Sequence, residues 1–159
     1  MKMSSITAQA LSVGIIVALW TAISHYGKLP LLLWPVIVGL GCFVAAEEGM
    51  PGLQKSLLGL ITGVVWALIA YLVSKALGHS NIVDVLVLGA VAAGIVLQAR
   101  VPLLSYTGAA FVGAGAAMGA GVRSLEGGAR AAVALAIGVL LGYAAEFGAE
   151  KIREFARGR

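Results

Sequence analysis

Apolar residues run along this chain in blocks of roughly 18 to 25 positions, the length that crosses a bilayer core of about 30 Å as a helix. Polar residues fall in short breaks between the blocks. Six spans are predicted. The first covers Ser5 to His25 and the second Pro30 to Ala46, closed by Glu47-Glu48-Gly49-Met50-Pro51-Gly52. The third runs from Leu53 to Leu77 with Gln54 and Lys55 at its mouth. It stops at Gly78-His79-Ser80-Asn81, a cluster of helix-ending and capping types. Ile82 to Gln98, Pro102 to Gly121 and Ala129 to Phe147 make the fourth, fifth and sixth.

Composition agrees with an all-α integral membrane protein. Of the 159 residues 60% are hydrophobic and 11% charged, at a mean hydropathy of +1.00, outside the range of soluble globular domains. The chain reads as a single membrane domain over 1–159, with 149–159 a basic tail that continues the last helix into water and can attract anionic headgroups. Lys2 ahead of an apolar run raises the possibility of a signal peptide, but the run is too long, lacks a small-x-small cleavage site and leads into another span. Cys42 is alone within the second span and reads as a small apolar packing residue.

Charge then orients the spans. With the N-terminus inside, one side collects Lys2, Lys55, Arg100, Lys151, Arg153, Arg157 and Arg159, and the other Lys28, Lys75, Arg123 and Arg130. Both termini are therefore expected in the cytoplasm. The net charge of +4 is spread over loops and tail without a basic stripe, which argues against a nucleic-acid partner.

The two halves of the chain, 1–78 and 79–148, resemble each other. LPLLLWPVIVGLG (Leu29 to Gly41) aligns with VPLLSYTGAAFVG (Val101 to Gly113), and GLITGVVWALIA (Gly59 to Ala70) with GVLLGYAAEFGA (Gly138 to Ala149). Three spans per copy is an odd number, so the copies would enter the membrane in opposite senses, the inverted repeat on which many transporters are built. Gly59/Gly63, Gly115/Gly119 and Gly138/Gly142 are small-xxx-small pairs, suited to close helix packing or to an interface between protomers of a homo-oligomer.

Pro30, Pro35 and Pro102 mark the places where helices of such a repeat would break, and polar residues gather beside the last of them. Gln98, Arg100, Ser105, Tyr106 and Thr107 form a donor-rich cluster in an apolar neighbourhood, a candidate lining for a solute path. The plainer alternative makes Gln98 and Arg100 a short turn at the headgroups, with the hydroxyls bonded back to their own helix. Glu47 and Glu48 share a face with Arg100 and could meet it in a cytoplasmic vestibule, or simply be a solvated turn. Trp66 beside Thr62 is a candidate constriction; Trp20 and Tyr26 suit the aromatic belt, and Glu146 falls near enough to a span end to reach water.

Enzyme chemistry finds no support. His25 and His79 have no cysteine or carboxylate at ligand spacing, so no metal is expected, and VGAGAAMG from Val112 lacks the last glycine, the strand and the acidic partner of a dinucleotide site. No GxSxG, P-loop or HExxH occurs, and no cofactor is expected.

GVVWA (Gly63 to Ala67), the Gln98-Ala99 pair, LLSYTGAAFVGAGAAMG from Leu103 and LLGYA (Leu140 to Ala144) resemble the small bacterial inner-membrane family catalogued as domain of unknown function 1097 (DUF1097), from the second span onward. That family has no assigned substrate or catalytic residues, so the resemblance implies a multi-span inner-membrane placement and nothing finer. Thr107-Gly108 stands where the family pattern would place Pro-Gly, which argues against a sharply broken helix at that point. The expected function is a channel or secondary transporter for a small polar or ionic solute, downhill or ion-coupled because no ATP-binding element is present. The alternative is a non-transporting scaffold or partner subunit whose Gly-rich faces dock other helices.

Overall fold

The computed structural model describes residues 4–28 and 33–157. Six α-helices account for most of them: α1 (Ser5–Tyr26), α2 (Leu33–Val44), α3 (Gly49–Ala76), α4 (Asn81–Leu97), α5 (Thr107–Gly119) and α6 (Leu125–Arg157), with no strand among the described residues. Among the described residues four stretches are long and apolar enough to cross a membrane: Ser5–Tyr26, Gly49–Ala76, Asn81–Arg100 and Leu125–Ala156. The 12-residue α2 and 13-residue α5 are equally apolar but shorter than the spans expected for them. At 1.5 Å per residue they reach about 18–20 Å.

The shortness of α5 has a local cause. Pro102 disfavours helical backbone at the residue before it, and Val101 is extended at φ −88°, ψ 118°. Pro102–Leu104 then makes one 3-10 turn, and Tyr106 at ψ 75° delays the α-helix until Thr107. The break therefore precedes Thr107-Gly108 instead of falling on it. Pro35 breaks nothing: it occupies the first turn of α2, where a missing N–H costs no helical bond. Pro30 lies outside the described residues.

Helix α3 is the axis of the bundle. Its buried positions, Gly52, Ser56, Gly59, Leu60, Gly63, Val64, Ala67, Ala70 and Ser74, recur every three or four residues and form one stripe of mostly small side chains. Apolar burial gains little between helices in lipid, so such stripes associate by letting backbones approach. A Cβ on Gly63 would run into the Ala110 carbonyl and the Ala114 nitrogen of α5, and one on Gly113 into the backbone of Leu60. Helices α2 and α6 are joined in the same manner: Gly39 lies against the Leu135 carbonyl and Gly138 against that of Val36. Along both seams the contacts advance in the same direction on the two partners, so α3 runs parallel to α5, and α2 to α6.

The three glycine pairs of the sequence divide differently from the expectation. Only one member of the Gly138/Gly142 pair meets neighbouring backbone. Gly142 is buried one turn beyond Gly138, but what lies over it is the Phe43 side chain, whose ring would stand 2.8 Å from an added Cβ. The reason is the register of the parallel seam: Phe43 is one turn beyond Gly39 on α2, and its ring needs the space that a side chain at Gly142 would take. Gly142 thus accommodates an aromatic ring and is not a point of backbone approach. Gly59 likewise faces a side chain first, the Ala109 methyl group, with the Tyr106 carbonyl behind it. Gly115 of α5 meets nothing within 4 Å and Gly119 only the tip of Trp34, so that pair belongs to neither seam.

The remaining helices complete a regular pattern. α1 packs on α6, and α4 on α3; exchanging α1, α2, α3 for α4, α5, α6 leaves the principal neighbour relations unchanged. The seam between α1 and α6 holds one buried polar contact, in which Ser12 Oγ donates to the Ala145 carbonyl at 2.7 Å. Glu146 is half-buried and accepts the Gly49 N–H with both carboxylate oxygens at 3.0 and 3.1 Å, an anion at the N-terminus of α3. Beyond it α6 continues as helix to Arg157, as expected for the tail. The end of the bundle where α3 begins is called here the lower pole, and the end where it finishes the upper pole.

Candidate functional site

The polar residues singled out in the sequence fall at two levels, and the lower level is a cleft. It has a volume of about 240 Å³ and is lined by Ala45, Ala46, Glu47, Lys55, Ser105 and Tyr106. Lys55 Nζ lies 2.9 Å from both Glu47 oxygens. The ion pair anticipated between Glu47 and Arg100 is thus made by Lys55, near the start of α3, while Arg100 is exposed in the 3-10 turn Gln98–Arg100 and has no ion-pair partner among the described residues. Glu48 is exposed and precedes α3 without a side-chain capping bond. Tyr106 donates its hydroxyl to the Cys42 carbonyl at 3.3 Å, tying the start of α5 to the end of α2. Ser105 is exposed at the cleft and Thr107 half-buried beside it.

Midway up α3, three of the predicted residues form one chain of hydrogen bonds. Trp66 Nε1 donates to Gln98 Oε1 at 2.8 Å, Gln98 Nε2 donates to Thr62 Oγ1 at 3.3 Å, and Thr62 Oγ1 donates to the Gly59 carbonyl at 2.9 Å. Two of these residues are one turn apart on α3 and the third ends α4, which is why a sequence separation of more than thirty residues closes into contact. The indole lies close enough to α4 that a Cβ on Gly94 would stand 2.5 Å from its ring. Trp66 therefore fills the cleft between α3 and α4 at this height, held by an amide that has no other donor to satisfy its oxygen among the described residues.

Above Trp66 the same cleft opens into a second cavity of about 250 Å³ that the sequence reading missed. Ala67 and Ala70 lie deep in it, Leu88 and Met118 wall it, and Tyr71, Ser74, His79, Asp84 and Arg123 supply its polar groups. Ser74 donates its hydroxyl to Asp84 and lies 3.2 Å from His79 Nδ1, which is 3.6 Å from Asp84 Oδ1. The same ring nitrogen faces both partners, so the imidazole does not bridge serine and carboxylate as a nucleophile–base relay requires. No group of three or more metal-ligating side chains occurs among the described residues.

Two helix ends bring this cluster together. α3 closes with the His79 N–H on the Ser74 carbonyl and the Gly78 N–H on that of Lys75, and α5 closes with Val122 on Ala117 and Gly121 on Met118. These are matching Schellman caps, each with its glycine left-handed at φ +90° and +65°. Because α3 and α5 are parallel, both caps lie at the upper pole, and they deliver His79 and Arg123 to one rim. A signal for this site was present in the sequence: Asp84 is an acid one turn inside the fourth apolar run, where an unpaired charge is costly.

The chain compares with known proteins over nearly its whole length. The family described as "Protein of unknown function (DUF1097)" matches residues 10–150. The chain belongs to the DUF1097 family. Two curated relatives carry the name "Inner membrane protein YcdZ": that of Escherichia coli (strain K12) is 31% identical over 144 residues, covering 89% of this chain and 84% of the relative. That of Salmonella typhimurium (strain LT2) is 32% identical over 146 residues, covering 89% and 86%. No solved structure gives a significant match. This DUF1097 protein is accordingly a membrane protein, in agreement with its four bilayer-length apolar helices.

Proposed function

We propose that this DUF1097 protein resides in the bacterial inner membrane and passes a small polar or ionic solute along the cleft between α3 and α4. The carrying observation is the Trp66–Gln98–Thr62 chain, a set of hydrogen-bonded polar groups at mid-height of apolar helices with a polar cleft below it and another above. Polar groups kept at membrane depth are costly and are retained where a solute must be met. In this reading Trp66 is the constriction, Glu47, Lys55, Ser105 and Tyr106 form one mouth, and the chemistry is movement across the bilayer, not catalysis.

We read the six helices as an inverted repeat of three per half, an architecture suited to transport. The reciprocal seams, Gly39 on Leu135 with Gly138 on Val36, and Gly113 on Leu60 with Gly63 on Ala110, pair Gly63 with Gly138. The sequence alignment had paired Gly59 with Gly138, one helical turn away. Six crossings would place both termini on the cytoplasmic side, with the lower pole inside and the upper pole outside. α5 would cross with the help of the 3-10 segment that precedes it, as broken helices do beside transport sites.

One observation favours the scaffold reading: between the two clefts the seams are closed backbone to backbone and the indole fills the gap. Flux decides between them. Purified protein in proteoliposomes is expected to pass at least one of urea, ammonium, formate, chloride, potassium or small neutral amino acids faster than empty vesicles, with Gln98→Leu altering the rate. No flux above empty vesicles from folded, inserted protein would leave the scaffold reading in place.

A further inference from the structure

We infer that the upper cavity is a binding site for a small zwitterion carrying an amine and a carboxylate on a short apolar body, of the size of a small neutral amino acid. Arg123 brings the argument its first half. This residue lines the cavity, carries a permanent charge and has no carboxylate partner among the described residues, although Glu126 at the start of α6 is near in sequence and pairs with Arg130 instead. A carboxylate is the ligand group that a planar, unpaired guanidinium recognises best.

The opposite wall asks for a cation. Asp84 lines the same cavity with its side chain 45% exposed, and its identified contacts, the Ser74 hydroxyl and His79 Nδ1, both lie on one carboxylate oxygen. One fixed cation and one fixed anion, in a cavity of about 250 Å³, leave a neutral site that a ligand of single charge would satisfy only by half. The lining also includes Val87, Leu88 and Met118, which suit a short aliphatic side chain, and Tyr71. That this ligand is also the transported solute rests on the transport reading; that it binds does not.

The test is isothermal titration calorimetry of the full chain in nanodiscs at pH 7 with L-valine, its methyl ester and isovalerate. Saturable binding of L-valine is expected, with the ester, which lacks the carboxylate, and isovalerate, which lacks the amine, each weaker by about tenfold or more, the worth of one charge-assisted contact. Arg123→Gln should erase the discrimination between L-valine and its ester, and Asp84→Asn that between L-valine and isovalerate. A merely structural role for either side chain would weaken all three ligands alike. No saturable heat from folded protein, or an ester or isovalerate that binds as tightly as L-valine, would overturn the inference. Valine binding without flux of any solute would sink the transport reading and leave the site; flux of other solutes without valine binding would do the reverse.

Discussion

Gly63→Ala is expected to destabilise the protein by about 2–3 kcal/mol, the upper range for forcing extra atoms into a closely packed interior. The reason lies in what the new methyl group meets. It would be placed against the Ala110 carbonyl and the Ala114 nitrogen, which are backbone of a neighbouring helix and cannot swing aside. α3 and α5 would have to separate along their whole seam, carrying with them Leu60 and Val64 on one side and Ala109, Ala110 and Ala114 on the other, all nearly inaccessible. Gly115→Ala is the matched control. Its methyl group meets nothing within 4 Å, so the substitution should fall within about 0.5 kcal/mol of the wild type. Thermal unfolding of both variants in detergent micelles checks the pair; equal midpoints would mean that the seam is not as close as described.

Trp66→Ala is expected to raise solute flux through proteoliposomes by roughly tenfold, equivalent to lowering a barrier by about 1.4 kcal/mol, and to relax discrimination among solutes. The indole separates the upper cavity, which descends as far as Ala67, from the polar groups below. Removing it leaves Gln98 bonded to Thr62 alone and opens the space between α3 and α4 beneath Ala67. Loss of so large a residue also costs packing, so two milder variants accompany it. Trp66→Phe keeps an aromatic ring but removes the donor to Gln98, and should change flux less than Trp66→Ala. Gly94→Ala sets a methyl group 2.5 Å from the far end of the indole and pushes the ring without deleting it, which should shift flux in a folded protein. Unchanged flux in all three would remove Trp66 from the path.

The helices were legible in the sequence because lipid demands long apolar runs, and Glu47-to-Gly52 and Gly78-to-Asn81 interrupt them plainly. The length of α5 was harder to read. Leu103 and Leu104 are apolar and were included in the span, and only the backbone effect of Pro102 with the extended Val101 and the turn at Tyr106 shows that the helix has not yet begun. Glycine spacing singled out Gly63 and Gly138 of the seams but not Gly39 or Gly113, and it gave no partner for any of them: Gly138 and Gly142 read alike in the sequence, yet one meets backbone and the other a phenylalanine ring. Of the candidate site, Trp66 was singled out in mid-span beside Thr62, and Gln98 as a polar residue just before the hydroxyl cluster. Their partnership was not, since it depends on α4 ending level with the middle of α3. The upper cluster escaped for a related reason. Tyr71, Ser74, His79, Asp84 and Arg123 come from separate helices and turns, and nothing short of the parallel packing of α3 and α5 brings their caps to one rim. Lys55 replaced Arg100 at Glu47 because α3 starts directly beyond the acidic break and carries its lysine back over it.

The central claim is that water enters the cleft between α3 and α4, and thiol accessibility tests it without knowing the solute. In a Cys42→Ala background, Thr62→Cys and Tyr71→Cys place thiols within the cleft, while their chain neighbours Ile61→Cys and Leu72→Cys place them on the outer face, where Ile61 is 37% and Leu72 53% exposed to the surroundings of the helix bundle. In lipid that outer face is dry. A membrane-impermeant methanethiosulfonate reagent is expected to modify Thr62→Cys and Tyr71→Cys in proteoliposomes and to spare Ile61→Cys and Leu72→Cys. Modification of neither cleft thiol in folded protein, or equal modification of all four, would contradict it.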